Sequence, residues 1–150
     1  AKAIRRGDPA VWPAATKAAA SLEPLPIYIS DDALSVDELG WLCGAAMLAK
    51  PDLLIVDYLQ IMAPPAGTPN EKRHQVEAIS GALKAFALRQ RIPVICLSSL
   101  SRTGNAEDGK EKPPTMNNFR ESAQIEHDAD VAILLHRHRG ESQCDCIVAK

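Results

Sequence analysis

Two runs of apolar residues organise the middle of the chain. Residues 53–60 read LLIVDYLQ, four apolar positions without alternation and then Asp57. Such a run fits a strand buried on both faces, as in a parallel sheet. Residues 92–97 (IPVICL) form a second run of the same kind, followed directly by Ser98, Ser99 and Ser101. Between the two, Val76, Ile79, Leu83 and Phe86 recur at helical spacing and predict a helix over residues 71–91. Upstream, Ser35 and Glu38 have the spacing of a capping box. They open a helix expected to reach about residue 49, where Lys50-Pro51-Asp52 stops it.

The flanks are weaker in pattern. Asp8–Pro9 starts a helix that Pro13 either re-sets or kinks and that Pro24 and Pro26 end. Residues 26–30 (PIYIS) read as a short strand closing on the turn Asp31–Asp32. Residues 63–70 and 102–116 are loop, and a short polar helix is expected over residues 122–127. Residues 131–136 and 144–150 then form two strands of a hairpin turned at His138-Arg139-Gly140-Glu141. Alternating strand and helix make the class α/β, with a mostly parallel sheet flanked by helices and a C-terminal β-hairpin.

Composition narrows the partners more than the fold. A formal net charge of −2 rules out a uniformly basic nucleic-acid surface, so any such contact must be local. Cys43, Cys96, Cys144 and Cys146 have neither zinc nor disulfide-framework spacing, which fits a reducing, cytoplasmic setting. Cys96 reads as a small buried hydrophobe, and Trp12 and Trp41 as core residues. No signal peptide or bilayer-length apolar stretch is present, so a soluble protein with no membrane partner is expected. The chain starts without Met and stops at Lys150 inside a strand pattern, and is expected to be one partial domain, 1–150, incomplete at both ends.

In open α/β sheets ligands bind at the carboxyl ends of the strands. Asp57 and Ser98–Ser99 are the polar residues there. An Asp closing an apolar strand is how many nucleotide hydrolases hold Mg²⁺ through water, although the same residue also serves as a helix cap or loop anchor. His136-Arg137-His138-Arg139 reads as a solvated rim or a nucleic-acid patch. A zinc site joining His136 and His138 to Cys144 and Cys146 is conceivable across a hairpin but has the wrong spacing. Asp128 and Asp130 precede a strand without an evident role.

DLLIVDYLQIM, a helix, IPVICLSSLSR, a long polar loop and NFRESAQIEHDADVAILL follow one another in that order. Together they resemble the RecA-like motor domain, a P-loop NTPase core, of DnaB-type replicative DNA helicases. The second block, F-R-E-S-x-x-I-E-x-D-A-D, is the more specific. The resemblance implies that Asp57 is the Walker B aspartate positioning the Mg²⁺ of ATP. It implies that the loop after Met62 and the stretch at Arg120–Glu121 grip single-stranded DNA by its phosphates in the channel of a homohexamer. Lys150 matches the lysine of a Lys-x-Arg pair that reaches a neighbouring subunit's ATP. Ser99 stands where the family has a glutamine that senses the γ-phosphate, and Ala123 where it has a DNA-facing glycine. Primase and a helicase loader are the further partners implied, and 5′→3′ translocation the activity. Alternatives are another RecA-like recombination or repair ATPase, and a non-catalytic phage-derived DNA-binding remnant. Ser99 and Ala123 favour the remnant; Asp57 and Arg120, kept in register, favour the motor.

No G-x-x-x-x-G-K-[ST] phosphate loop occurs in the 150 residues. The chain by itself is therefore expected to hydrolyse no ATP. Turnover that survives rigorous purification and disappears in Asp57→Ala contradicts that expectation.

Overall fold

The computed structural model describes residues 9–31, 34–46, 50–100, 113–119, 123–137 and 142–150. It divides into two units, residues 1–32 and 33–150. In the first, a 3-10 turn at Pro9–Val11 leads into helix α1, Trp12–Leu22. Pro13 lies in the first turn of α1, where its missing N–H has no partner to lose, so it re-sets the helix rather than kinking it. So short a unit encloses no core of its own. Accordingly α1 buries none of its residues, and Trp12 is 52% exposed rather than core. Residues 26–30 form no strand. An extended segment becomes a strand only by pairing, and among the described residues nothing pairs with it, leaving Ile29 90% exposed.

The second unit carries the core. Helix α2, Val36–Trp41, begins on the expected capping box: the Ser35 backbone N–H donates to Glu38 Oε2 at 2.6 Å, and the Glu38 N–H donates to Ser35 Oγ at 3.2 Å. Beyond Trp41 the chain continues as a wider helical turn over Leu42–Ala46. Val36, Leu39 and Cys43 face inward, which turns Trp41 to solvent. The sequence expectation for Trp41 fails because its neighbours at helical spacing claim the buried face.

Strand β1, Leu54–Val56, pairs in parallel with β2, Val94–Cys96, with Leu54 opposite Val94 and Val56 opposite Cys96. The 19-residue helix α3, Lys72–Gln90, connects them as the crossover of a β-α-β unit. Its buried stripe is the predicted one, Val76, Ile79, Leu83 and Phe86, with Ser80 added. These side chains join Val36, Leu39, Cys43, Val56, Leu59 and Met62 in one cluster. Phe86, 1% exposed, contributes on the order of 1.5–3 kcal/mol by burial.

Two expectations for the sheet are revised. Asp57 is not within a strand running to residue 60, because β1 ends at Val56 and Leu59–Ile61 form a 3-10 turn. Nor is the pair buried on both faces: Ile55 and Ile95 are 60% and 53% exposed. An unbroken apolar run reports hydrophobicity on both faces, but only one is covered among the described residues. Cys96, opposite Val56 on the other face, is itself exposed rather than buried, although its apolar surroundings desolvate the thiol and push it up to about 11.

The chain closes with helix α4, Ala123–Asp128, and the antiparallel hairpin β3, Ile133–His136, and β4, Asp145–Val148. The hairpin was expected; its turn lies outside the described residues. The two sheets, one parallel and one antiparallel, remain separate pairs here. No helix among the described residues is long and apolar enough to cross a membrane.

The capping box yields a pH-dependent prediction. Hydrogen bonds from the Ser35 backbone and then its hydroxyl hold the Glu38 carboxyl below its ordinary value of 4.5. A lowered folded-state value means the contribution is complete above the unfolded value and is lost as pH falls through the folded one. Ser35→Ala should lower stability by about 1 kcal/mol near neutral pH, measured by denaturant unfolding. The deficit should shrink as Glu38 protonates, and a pH-independent deficit contradicts this assignment.

Candidate functional site

The carboxyl ends of β1 and β2 are stitched together beyond the strands themselves. Leu97 N–H donates to Val56 O at 2.9 Å, and Leu59 N–H donates to Leu97 O at 2.8 Å. Leu59 and Met62, 3% and 8% exposed, turn back into the core immediately after the strand. Asp57, between Val56 and this turn, is left exposed at the strand end, and its peptide with Tyr58 is cis.

Gln60 joins the two strand ends. Its Nε2 donates to Ser98 Oγ at 2.9 Å and to Ser99 O at 3.5 Å, while its Oε1 accepts from the Ser99 N–H at 3.2 Å. One side-chain amide therefore holds both backbone groups of Ser99 and the hydroxyl before it. Reading the sequence for chemistry overlooked Gln60. The available signal was a second polar residue, after Asp57, in the mainly apolar stretch LLIVDYLQIM.

Asp57 and Ser99 are thus brought to adjoining strand ends, as expected. Among the described residues no three His, Cys, Asp or Glu side chains converge as a metal cage. A single exposed carboxylate at a strand end nevertheless suits Mg²⁺, which takes one or two protein carboxylates and completes its shell with water and phosphate oxygens. The donor chemistry fits Mg–nucleotide and does not fit a metal held by protein alone.

A second group of polar contacts surrounds α4. Ala123 is its first residue, while Arg120 and Glu121 lie outside the described residues. Lys150 Nζ donates to the carbonyls of Glu126 at 2.7 Å and His127 at 3.5 Å, at the carboxyl end of the helix where a cation is favoured. Asp128 accepts from Ser80 Oγ of α3 at 2.7 Å and from Gln124 Nε2 at 2.8 Å. Asp130 pairs with Lys84 Nζ at 2.5 Å, and that hydrogen bond and charge hold its carboxyl below the ordinary carboxylate range. The two aspartates that had no evident role tie the segment after α4's start to α3. Ser80 in the apolar stripe of α3 was the signal for it.

Of the basic run His136-Arg137-His138-Arg139, His138 and Arg139 lie outside the described residues and Arg137 is exposed, as a rim requires. His136 is 7% exposed, on the inner face of β3 with Leu134, so it joins no solvated rim or nucleic-acid patch. Cys146 faces Leu135 on the outer side. Alternation along β3 therefore puts His136 and Cys146 on opposite faces, which removes the zinc alternative.

Comparison with known proteins places this arrangement. The profile of the family described as "DnaB-like helicase C terminal domain" matches residues 1–150. The chain is 34% identical over 141 residues to the replicative DNA helicase DnaB of Geobacillus stearothermophilus, covering 91% of this chain and 31% of that protein. It is 36% identical over 101 residues to a probable plasmid replicative DNA helicase of Chlamydia trachomatis, covering 67% and 22%. The solved ATPase domain of G40P superposes with a TM-score of 0.78 at 30% identity, covering 99% of this chain and 56% of that one. A DnaB-like replicative helicase solved in a study of its interactions with primase gives 0.76 at 29% identity, covering 93% and 36%. The chain spans less than a third of the length of either curated relative described here.

Gln60 supplies a direct test of the stitched strand ends. Gln60→Ala removes the acceptor of the Ser99 N–H and should speed its hydrogen exchange about fivefold, as expected for one net hydrogen bond. An unchanged rate would show that the Gln60 amide does not hold the strand end.

Proposed function

The chain belongs to the DnaB-like helicase C-terminal domain family, and from that membership we propose that it forms part of the ATP-driven motor of a hexameric replicative DNA helicase. The observation that carries the reading is the stitched strand end, where Asp57 stands exposed beside Ser98–Ser99. In this role Asp57 orients the water shell of the Mg²⁺ that accompanies ATP. That ion, when bound, neutralises charge on the phosphates. Ser99 takes the place of the family's γ-phosphate-sensing glutamine in this reading. Its hydroxyl is shorter than a glutamine amide, so contact with phosphate runs through water. Gln60 fixes the backbone on which that hydroxyl is mounted.

The DNA-facing role falls to Arg120 and Glu121 and to Ala123, the first residue of α4. A sequence-blind motor reads phosphate alone, and backbone amides with one arginine suffice for that. Lys150 supplies a cation for a neighbouring subunit's nucleotide. It now rests on the carboxyl-end carbonyls of α4, so reaching a neighbour requires leaving them. Within a ring these two clusters serve one cycle, with nucleotide engaged at strand ends and subunit edges and DNA engaged in the channel. Primase and a loader are the partners proposed for the whole protein, and the bacterial or phage cytoplasm its setting.

The DNA half of the reading is accessible in the chain as it stands. Fluorescence anisotropy with a labelled oligothymidylate should show binding that weakens steeply as salt rises. Arg120→Ala should weaken it further and make the salt slope shallower by about one phosphate contact. Binding indifferent to salt, or an unaltered slope in Arg120→Ala, contradicts the DNA-facing assignment.

A further inference from the structure

We infer that Asp128 is a positioning residue that sets the start of α4 against α3, and so sets the placement of Ala123. The inference rests on the proposed DNA role of Ala123. Its structural basis is the way one carboxylate uses both oxygens. Oδ2 accepts from Ser80 Oγ at 2.7 Å, and Oδ1 accepts from Gln124 Nε2 at 2.8 Å. Ser80 belongs to α3 and is 6% exposed. Gln124 is the second residue of α4, directly after Ala123.

Asp128 itself closes α4, so its side chain reaches back one turn to the helix start while gripping the neighbouring helix. A bond from a neutral donor to an ionised acceptor is stronger than one between neutral groups, and a buried serine left without its acceptor loses more than the bond. Lys84, one turn after Ser80 on the same face of α3, holds Asp130 in the same direction. Two successive turns of α3 thus carry donors for the two acids of D-A-D. The long α3 is anchored by Val76, Ile79, Leu83 and Phe86, which makes it a firm reference for a six-residue helix that could not hold its own position.

A purely stabilising contact predicts a different outcome from a positioning one. Loss of stability alone lowers the melting temperature and leaves the affinity of the folded protein for DNA unchanged. Loss of position lowers affinity without changing the salt slope, because no phosphate contact is deleted.

The test uses the 150-residue chain, a fluorescein-labelled oligothymidylate and anisotropy titrations at several salt concentrations, with circular dichroism to confirm folding. Asp128→Ala should weaken binding about tenfold at an unchanged slope. Asp128→Asn keeps an acceptor for Gln124 and offers an N–H to Ser80 Oγ, and should bind within about twofold of the wild type. Ser80→Ala retains the apolar packing and should weaken binding about threefold, so it decides the question if Asp128→Ala does not fold. Wild-type affinity in folded Asp128→Ala or in Ser80→Ala overturns the inference while leaving the DNA reading intact. Equal impairment of Asp128→Asn and Asp128→Ala also overturns it. Absence of DNA binding by the wild-type chain overturns the DNA reading and the inference with it.

Discussion

The packing of Leu59 and Met62 beneath α3 is the constraint from which the site follows. Val56 ends β1 in the core, and the chain must return to the core within three residues to bury Leu59. A strand that continued would carry both side chains away from Phe86 and Ile79. The tight turn that results leaves Asp57 outside, at the strand's carboxyl end, and sets Gln60 across the gap to Ser98 and Ser99. An apolar requirement thus produces a polar edge, and the acid is exposed because its neighbours are buried.

The region around α4 is organised on the opposite basis. Here a single half-buried residue, Ile125, packs against the core cluster, and none of the helix's residues is fully buried. The rest of its positioning comes from polar contacts with two other elements: Ser80 from α3, and Lys150 from the end of the hairpin. Lys84 fixes the adjoining Asp130. Such contacts break at lower cost than a packed core and can be exchanged for phosphate or a neighbouring subunit. Under the proposed function, a rigid strand end would take nucleotide and a polar-tethered helix would take DNA, which suits a motor in which one part holds and another moves.

Local rules made much of this legible in the sequence. The capping box at Ser35–Glu38 and the stripe of α3 are determined within one or two turns, and both appear as read. The hairpin and the α/β class follow from alternation and element order. What failed depended on partners distant in sequence. Residues 26–30 have strand composition but no paired neighbour among the described residues. Ile55 and Ile95 are apolar without being covered, and Trp41 yields the buried face to Val36, Leu39 and Cys43. Of the site, Asp57 and Ser99 were visible because each ends an apolar run. Gln60 and Asp128 were not assigned, since a side-chain bond across 38 or 48 residues leaves no periodic trace.

The central claim is that Asp57 serves ATP hydrolysis in a DnaB-type motor, and a chimaera tests it most directly. The matching segment of the Geobacillus stearothermophilus helicase would be replaced by this chain, and DNA-stimulated ATP hydrolysis measured with and without Asp57→Ala. The account predicts that the chimaera hydrolyses ATP and that Asp57→Ala lowers the rate at least about a hundredfold while ring assembly persists. An assembled chimaera whose rate is unaffected by Asp57→Ala would contradict it.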